Sequence, residues 1–155
     1  MTSPAGETDE KFMLAALAEA RLAAAAGEIP IGAVAVKDGN IIARTHNAVE
    51  QLHSVTAHAE MRLLHELETL RSDWRIDDCD IYVTKEPCPM CMGALILARA
   101  RRIVFGAADD RFHISQTLSE HPGSLWHPKL VSGVLAEPCL ALLREFFQAR
   151  RGDRR

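Results

Sequence analysis

Apolar positions along this chain switch between a helical and a strand-like period, and the switches mark its elements. From Asp9 to Ala26, Met13, Leu17, Ala20 and Ala24 recur at helical spacing, with Thr8 as candidate cap and Gly27 as stop signal. Ile31 to Val36 reads as a strand, Asp38-Gly39 as a tight turn, and Ile41 to Thr45 as the returning arm of a hairpin. His58 to Leu70 carries a stripe of Met61, Leu64 and Leu67 and predicts a second helix. Asp80 to Thr84, around Ile81-Tyr82-Val83, is a short β-rich segment. Cys88 to Ala98 is apolar nearly all round, as a helix buried between other elements is. Ile103-Val104-Phe105-Gly106 follows as a strand, residues 107–128 read as irregular, and Glu137 to Arg150 forms a last helix.

The order α-β-β-α-β-α-β-loop-α implies an α/β protein whose sheet is covered by helices on both faces. Its strand–helix–strand unit predicts a parallel pair with a right-handed crossover. The 155 residues amount to one domain, 1–155, with polar ends at about 1–7 and 152–155. A chain of that size buries roughly two thirds of its unfolded surface. Hydrophobic residues at 48% and charged residues at 25% are ordinary globular usage, which excludes a disordered or fibrous chain. No apolar run approaches the roughly 20 residues of a membrane span. Met1 to Asp9 is polar and acidic, so no secretory signal is expected, and four cysteines without a leader point to a reducing, cytoplasmic compartment.

Composition excludes classes; a split cluster of metal-binding residue types suggests one. Thr56-Ala57-His58-Ala59-Glu60 is followed by Glu86-Pro87-Cys88-Pro89-Met90-Cys91. One histidine and two thiolates, His58, Cys88 and Cys91, can hold one zinc ion and leave its fourth position open for water, as a catalytic site requires. Glu60, two residues from the histidine, would reach that water without binding the metal. Taken alone, His-Ala-Glu is an ordinary helix start, and Cys-x-x-Cys also suits a structural zinc knuckle or a redox pair. A structural site needs a fourth ligand, and His46, His53, His65, His113, His121 and His127 have no fixed spacing to the cluster. Cys79 and Cys139 lack metal spacing and read as buried small hydrophobes. Both ligand segments fall at helix starts, where two N-termini favour thiolate charge.

Net charge is −3, which gives no global attraction to nucleic acid. Arginines are nonetheless clustered: Arg99, Arg101 and Arg102 follow the Cys-x-x-Cys helix, and Arg144, Arg150, Arg151, Arg154 and Arg155 load the C-terminal end. Local basic patches bind phosphate on an acidic protein, and solubilising surface charge is the alternative reading.

The pattern His-x-Glu…Pro-Cys-x-x-Cys resembles the signature of zinc-dependent nucleobase deaminases. The likeness to the bacterial tRNA adenosine deaminases runs from about residue 9 to 151, through Gly27-Glu28-Ile29-Pro30-Ile31-Gly32-Ala33-Val34, Asn47, Val104-Phe105-Gly106-Ala107 and Gly133-Val134-Leu135…Phe146-Phe147. It implies a three-layer α/β/α cytidine-deaminase-like fold around a mixed, about five-stranded sheet. It also implies one zinc per chain, a homodimer, and conversion of the wobble adenosine in a tRNA anticodon loop to inosine. By the same resemblance Glu60 is the catalytic proton shuttle, Asn47 contacts the nucleoside, the Ala59 amide and the carbonyl near Glu86 read the base, and Ile31 lines the pocket. A catalytically dead subunit of this fold typically loses the residue matching Glu60, which is present here.

One segment departs from the family pattern. Asp109-Asp110-Arg111-Phe112-His113-Ile114-Ser115-Gln116-Thr117 has no glycine where relatives carry a glycine- and serine-rich loop, and Trp126-His127 replaces an Asn-His pair. Arg111 stands where the family's lysine would contact phosphate. Phe112, His113 and Ile114 are bulkier, and either close a pocket around a smaller substrate or simply repack the loop. A free nucleobase, nucleoside or related small aminated heterocycle, of guanine or cytosine type, is therefore the alternative.

Overall fold

The computed structural model describes residues 6–153; the polar ends 1–5 and 154–155, with Arg154 and Arg155, lie outside the described residues. Helix α1 (Glu7–Ala25) leads into the hairpin β1 (Gly32–Lys37) and β2 (Asn40–His46). A single-turn helix α2 (Val49–Leu52) and helix α3 (Ala59–Arg71) follow, then β3 (Asp80–Lys85), α4 (Pro89–Leu97) and β4 (Arg102–Ala107). Helix α5 (Ile114–Ser119), strand β5 (Lys129–Val131) and helix α6 (Ala136–Asp153) close the described chain. The strands form one mixed sheet in the order β2-β1-β3-β4-β5. β1 pairs antiparallel with both β2 and β3, while β3–β4 and β4–β5 are parallel. Among the described residues no helix is long and apolar enough to cross a membrane.

Alternation along the central strands decides which helix packs where. Ile81, Val83, Ile103 and Phe105 meet Leu63 and Leu67 of α3 and Met92 and Leu95 of α4 on one face. Tyr82, Val104 and Val34 meet Met13 and Leu17 of α1 and Cys139 of α6 on the other. Both faces of β3 and β4 are thus covered, which is why these strands read as continuous apolar runs. The expectation that Cys79 and Cys139 are buried agrees with their near-complete burial.

Three local readings need correction. Gly6, in extended conformation, takes the α1 cap position instead of Thr8, and Thr8 lies within the helix. Segment 107–128 is not wholly irregular, because α5 forms inside it and β5 follows at once; both are too short to show a period. His58 and Cys88 are N-caps in extended conformation, one residue ahead of the helices they were expected to open.

The end of β3 and β4 remote from the ligand segments is held by a polar network. Tyr82 Oη donates to Asp9 Oδ1 at 2.7 Å, and Arg102 spans Asp9 (3.0 Å) and Asp80 (3.0 Å). Arg101 Nε adds a bond to Asp80 Oδ1 at 2.8 Å. Two arginines of the expected basic cluster are therefore neutralised, far from the cleft described below.

Helix α1 approaches the sheet most closely at Gly32. A Cβ built there would collide with the Ala16 carbonyl oxygen and lie 2.5 Å from the Ala20 nitrogen, both helix backbone. Gly32→Ala should therefore destabilise the fold by about 1–3 kcal/mol, the usual cost of overpacking. The check is a lower urea midpoint at unchanged m-value; an unchanged midpoint would show that α1 shifts freely.

Candidate active site

The loops after β2 and β3 and the start of β1 meet at one end of the sheet, where parallel strands present their carboxyl ends. His58 caps α3, Cys88 caps α4, and Cys91 sits in the first turn of α4. Pro89 at the first helical position presets the turn that carries both sulfurs. Their ligand atoms lie within 4.8 Å of one another. His58 Nδ1 is 3.6 Å from Cys88 Sγ and 3.4 Å from Cys91 Sγ. Bonds of about 2.3 Å to sulfur and 2.0–2.1 Å to nitrogen at tetrahedral angles require N···S separations near 3.5 Å. The donor set and its spacing therefore fit one zinc ion. Among the described residues the ligand group holds these three side chains and no carboxylate.

The electrostatics agree with a cation site. Hydrogen bonding from Cys91, and then from His58, overcomes burial and brings the Cys88 thiol down to about 4, so its sulfur is a thiolate. Cys91 moves upward, because the adjacent Cys88 sulfur holds its proton and because it is buried. A divalent ion held by His58, Cys88 and Cys91 would take the place of that shared proton. Glu60, 4% exposed, lies beside Cys91, and burial raises its carboxyl to about 6.

A cleft of about 520 Å³ opens over this group. It brings together every residue expected at the site: Ile31, Asn47, His58, Ala59, Glu60, Glu86, Cys88 and Arg111 line it, and Cys91 lies just behind. Asn47 is buried; its Nδ2 donates to the Ile29 carbonyl at 3.4 Å, and its Oδ1 has no partner among the described residues. A buried acceptor with nothing to accept fits a ligand that donates there. Ala59 is the first residue of α3, where amides have no partner inside the helix.

Glu86 is placed otherwise than a substrate contact through its side chain. Its carboxylate turns into the protein and holds Asp109 and Ser115. Arg111 stands at the rim, largely exposed, paired with Asp109 at 3.3 Å. Sequence reasoning missed three further lining groups. Buried Glu28 accepts the Glu50 and Gln51 amides at 3.2 and 2.6 Å and so holds α2 beside Asn47. Lys85 pairs with Asp109 at 3.5 Å, and Leu143 and Phe147 bring α6 to the cleft. The family resemblance runs through Glu28 and Phe147 but gave neither a role. Arg150 also reaches the cleft, donating to the Gly27 carbonyl at 2.7 Å, whereas Arg144 pairs with Glu137.

A layered α/β fold with one imidazole and two cysteine sulfurs spaced for a single ion, beside a buried carboxyl, defines a zinc-dependent hydrolytic deaminase as the class of protein. The comparisons make this particular. The model of the cytidine and deoxycytidylate deaminase zinc-binding region matches residues 6–107. The tRNA-specific adenosine deaminase of Bacillus subtilis (strain 168) is 43% identical over 146 residues, covering 92% of this chain and 91% of that protein. A structure from work on A-to-I editing by tRNA:A34 deaminases at the wobble position superposes with a TM-score of 0.80 at 37% identity, over 86% of this chain and 99% of the other. Guanine deaminase from Bacillus subtilis superposes at 0.62 with 32% identity, over 92% and 93%. The chain belongs to the tRNA-specific adenosine deaminase family, within the zinc-binding cytidine and deoxycytidylate deaminases.

Purified protein should contain about one zinc per chain, the usual stoichiometry of a single three-ligand site. Cys91→Ser should lose most of it. Chelation should lower Tm, because an ion that binds only the folded state stabilises it by about 2.7 kcal/mol at 100 times its Kd. Full metal retention in Cys91→Ser, or an unmoved Tm on chelation, would contradict the assignment.

Proposed function

We propose that this protein deaminates adenosine to inosine at the tRNA wobble position, with His58, Cys88 and Cys91 holding one zinc and Glu60 moving protons. The observation that carries the chemistry is the buried Glu60, raised to about 6, beside three ligand atoms that fit a single ion. Zinc bound there lowers the pKa of water toward about 7 and so supplies a nucleophile at neutral pH. Glu60 takes a proton from the attacking water and passes it to the adenine ring nitrogen N1, then takes the remaining hydroxyl proton at C6 and gives it to the leaving amine. Water adds at C6, the C6–N bond breaks, and the products are inosine and ammonia. A carboxyl with pKa near neutrality suits both proton steps.

Binding falls to the cleft wall. The free Asn47 oxygen accepts from the nucleoside, the Ala59 amide and the backbone carbonyl near Glu86 read the base, and Ile31 packs on it. Arg111 and Arg150 stand where a polynucleotide's phosphates would pass. The 43% identity over 92% of the chain supports tRNA over a free base. On this reading residues 1–155 work as one deaminase domain, as a homodimer, in the cytoplasm where tRNA is processed. A second reading, deamination of a free base such as guanine, is favoured by the bulky rim around Phe112 and by the likeness to a guanine deaminase.

Glu60→Gln should keep zinc and fold but lose roughly 100- to 10,000-fold in turnover, the contribution of general acid–base catalysis. Ammonia release from an anticodon stem-loop, beside a panel of free bases and nucleosides, decides the substrate: turnover of guanine with none on the stem-loop would replace the first reading by the second.

Stem-loop affinity should also fall with salt, with a slope of about −0.7 per single-strand phosphate contact. Arg111→Gln and Arg150→Gln should each flatten that slope by about one contact. Slopes identical to the parent's would show that both arginines are surface charge only.

A further inference from the structure

The strand end that carries Cys88 also carries a buried carboxylate that no proton step uses. Glu86 is 6% exposed, yet it is surrounded by donors from a distant segment. Its Oε1 accepts the Asp109 amide at 3.0 Å. Its Oε2 accepts the Ser115 amide at 3.2 Å and the Ser115 hydroxyl at 2.6 Å. Both ends of the loop between Asp109 and Ser115 are thereby tied to one side chain, two residues from a metal ligand.

Few other contacts hold the loop: the His113 amide donates to the Asp109 carbonyl at 3.3 Å, and Ile114 packs against the core. Asp110, Arg111, Phe112 and His113 are four consecutive exposed residues, and Ile114 is only half-buried. His113 lies in the left-handed region at φ +46°, where a side chain is strained. Asp109 supplies the second tether: it accepts the Arg111 amide at 2.8 Å and pairs with Lys85 Nζ at 3.5 Å. The Arg111 guanidinium lies over the Phe112 ring, 5.3 Å from its centre. Arg111, which lines the cleft, and Phe112, on which it stacks, thus take their positions from contacts that trace back to Glu86. Bonds to an ionised carboxylate are the strong ones, and removing an acceptor strands buried donors.

We propose that the Glu86 carboxylate is a positioning residue for substrate recognition: by clamping both ends of the 110–114 loop it sets where Arg111 stands at the cleft mouth. This rests on the tRNA reading above and adds to it the device that shapes the rim. Glu86 touches no reacting atom in this role. Its loss therefore alters how tightly a polynucleotide is held and leaves the bond-making steps alone.

The test is Glu86→Gln, which keeps volume but turns one acceptor oxygen into a donor facing another N–H. Zinc should stay at one per chain and kcat within about threefold, while KM for the anticodon stem-loop rises by about tenfold or more. Tryptic cleavage after Arg111 should accelerate. Glu86→Asp, which keeps both acceptor oxygens, should recover part of the KM. Ser115→Ala removes one of the three bonds and should raise KM less, with no further rise when combined with Glu86→Gln, as expected for partners in one contact. An unchanged KM, or zinc, kcat and KM failing together, overturns the clamp. If the parent turns over a free base and no stem-loop, the tRNA reading fails by itself. Cleavage after Arg111 then decides the clamp: acceleration in Glu86→Gln supports it, and an unchanged rate overturns it.

Discussion

Ala33 lies opposite Val83 and Ala35 opposite Ile81 in the antiparallel pairing of β1 with β3, and the active site hangs on that register. It brings the start of β1 beside the end of β3. The loop holding Ile31 and the turn holding Cys88 then face each other, although they are far apart in sequence. The hairpin returns β2 to the same end, so that Asn47 and, through α2, His58 arrive there too. A slip of one residue would turn every side chain of the strand to the opposite face and separate the ligands as well. Gly32 enforces the arrangement from the other side, because only a missing Cβ lets α1 lie on β1 at this distance.

The two ends of the sheet divide the polar work. At the amino end of β3 and β4, Asp9, Asp80, Tyr82, Arg101 and Arg102 satisfy one another, and hydrogen bonds from Arg102 and Tyr82 outweigh burial to lower the Asp9 pKa. Buried charges are tolerable only when paired in this way. At the carboxyl end pairing is incomplete: Asn47 keeps a free oxygen, and burial of Glu60 outweighs the help that His58 and Cys91 give to its ionised form. The free Asn47 oxygen at the cleft is one that a ligand can meet; the other buried unpaired group among the described residues, Arg99 Nη1, lies at the opposite end of the sheet.

The same burial that stabilises the molecule tunes its chemistry. Leu63 and Leu67 bury α3 against the sheet, and Glu60, on the first turn of that helix, is desolvated with them. Its carboxyl rises for that reason first. Cys88 moves the opposite way because a thiol and an imidazole donate to it at close range. Two acids a few ångströms apart thus differ in direction through surroundings alone, one poised to exchange protons and the other to bind a cation.

The alternation of apolar residues and the spacing of His58, Glu60, Cys88 and Cys91 were legible in the chain itself, because helix and strand periods and ligand spacing within one turn are local properties. The layered architecture, the helix-start position of both ligand segments and the identity of the metal donors follow from them. What local pattern does not contain is short or non-local. Strand β5 and helices α2 and α5 span too few residues to show a period. The neutralisation of Arg101 and Arg102 depends on Asp9 and Asp80, brought in by α1 and β3. Glu28 acts by capping α2, and the Glu86 carboxylate is claimed by residues 23 and 29 positions downstream. Sequence determined which residues can do the chemistry, since that is a matter of side-chain type and near spacing. Tertiary structure alone decided which of them are free to do it, since that depends on which partners the folded chain brings within hydrogen-bonding distance.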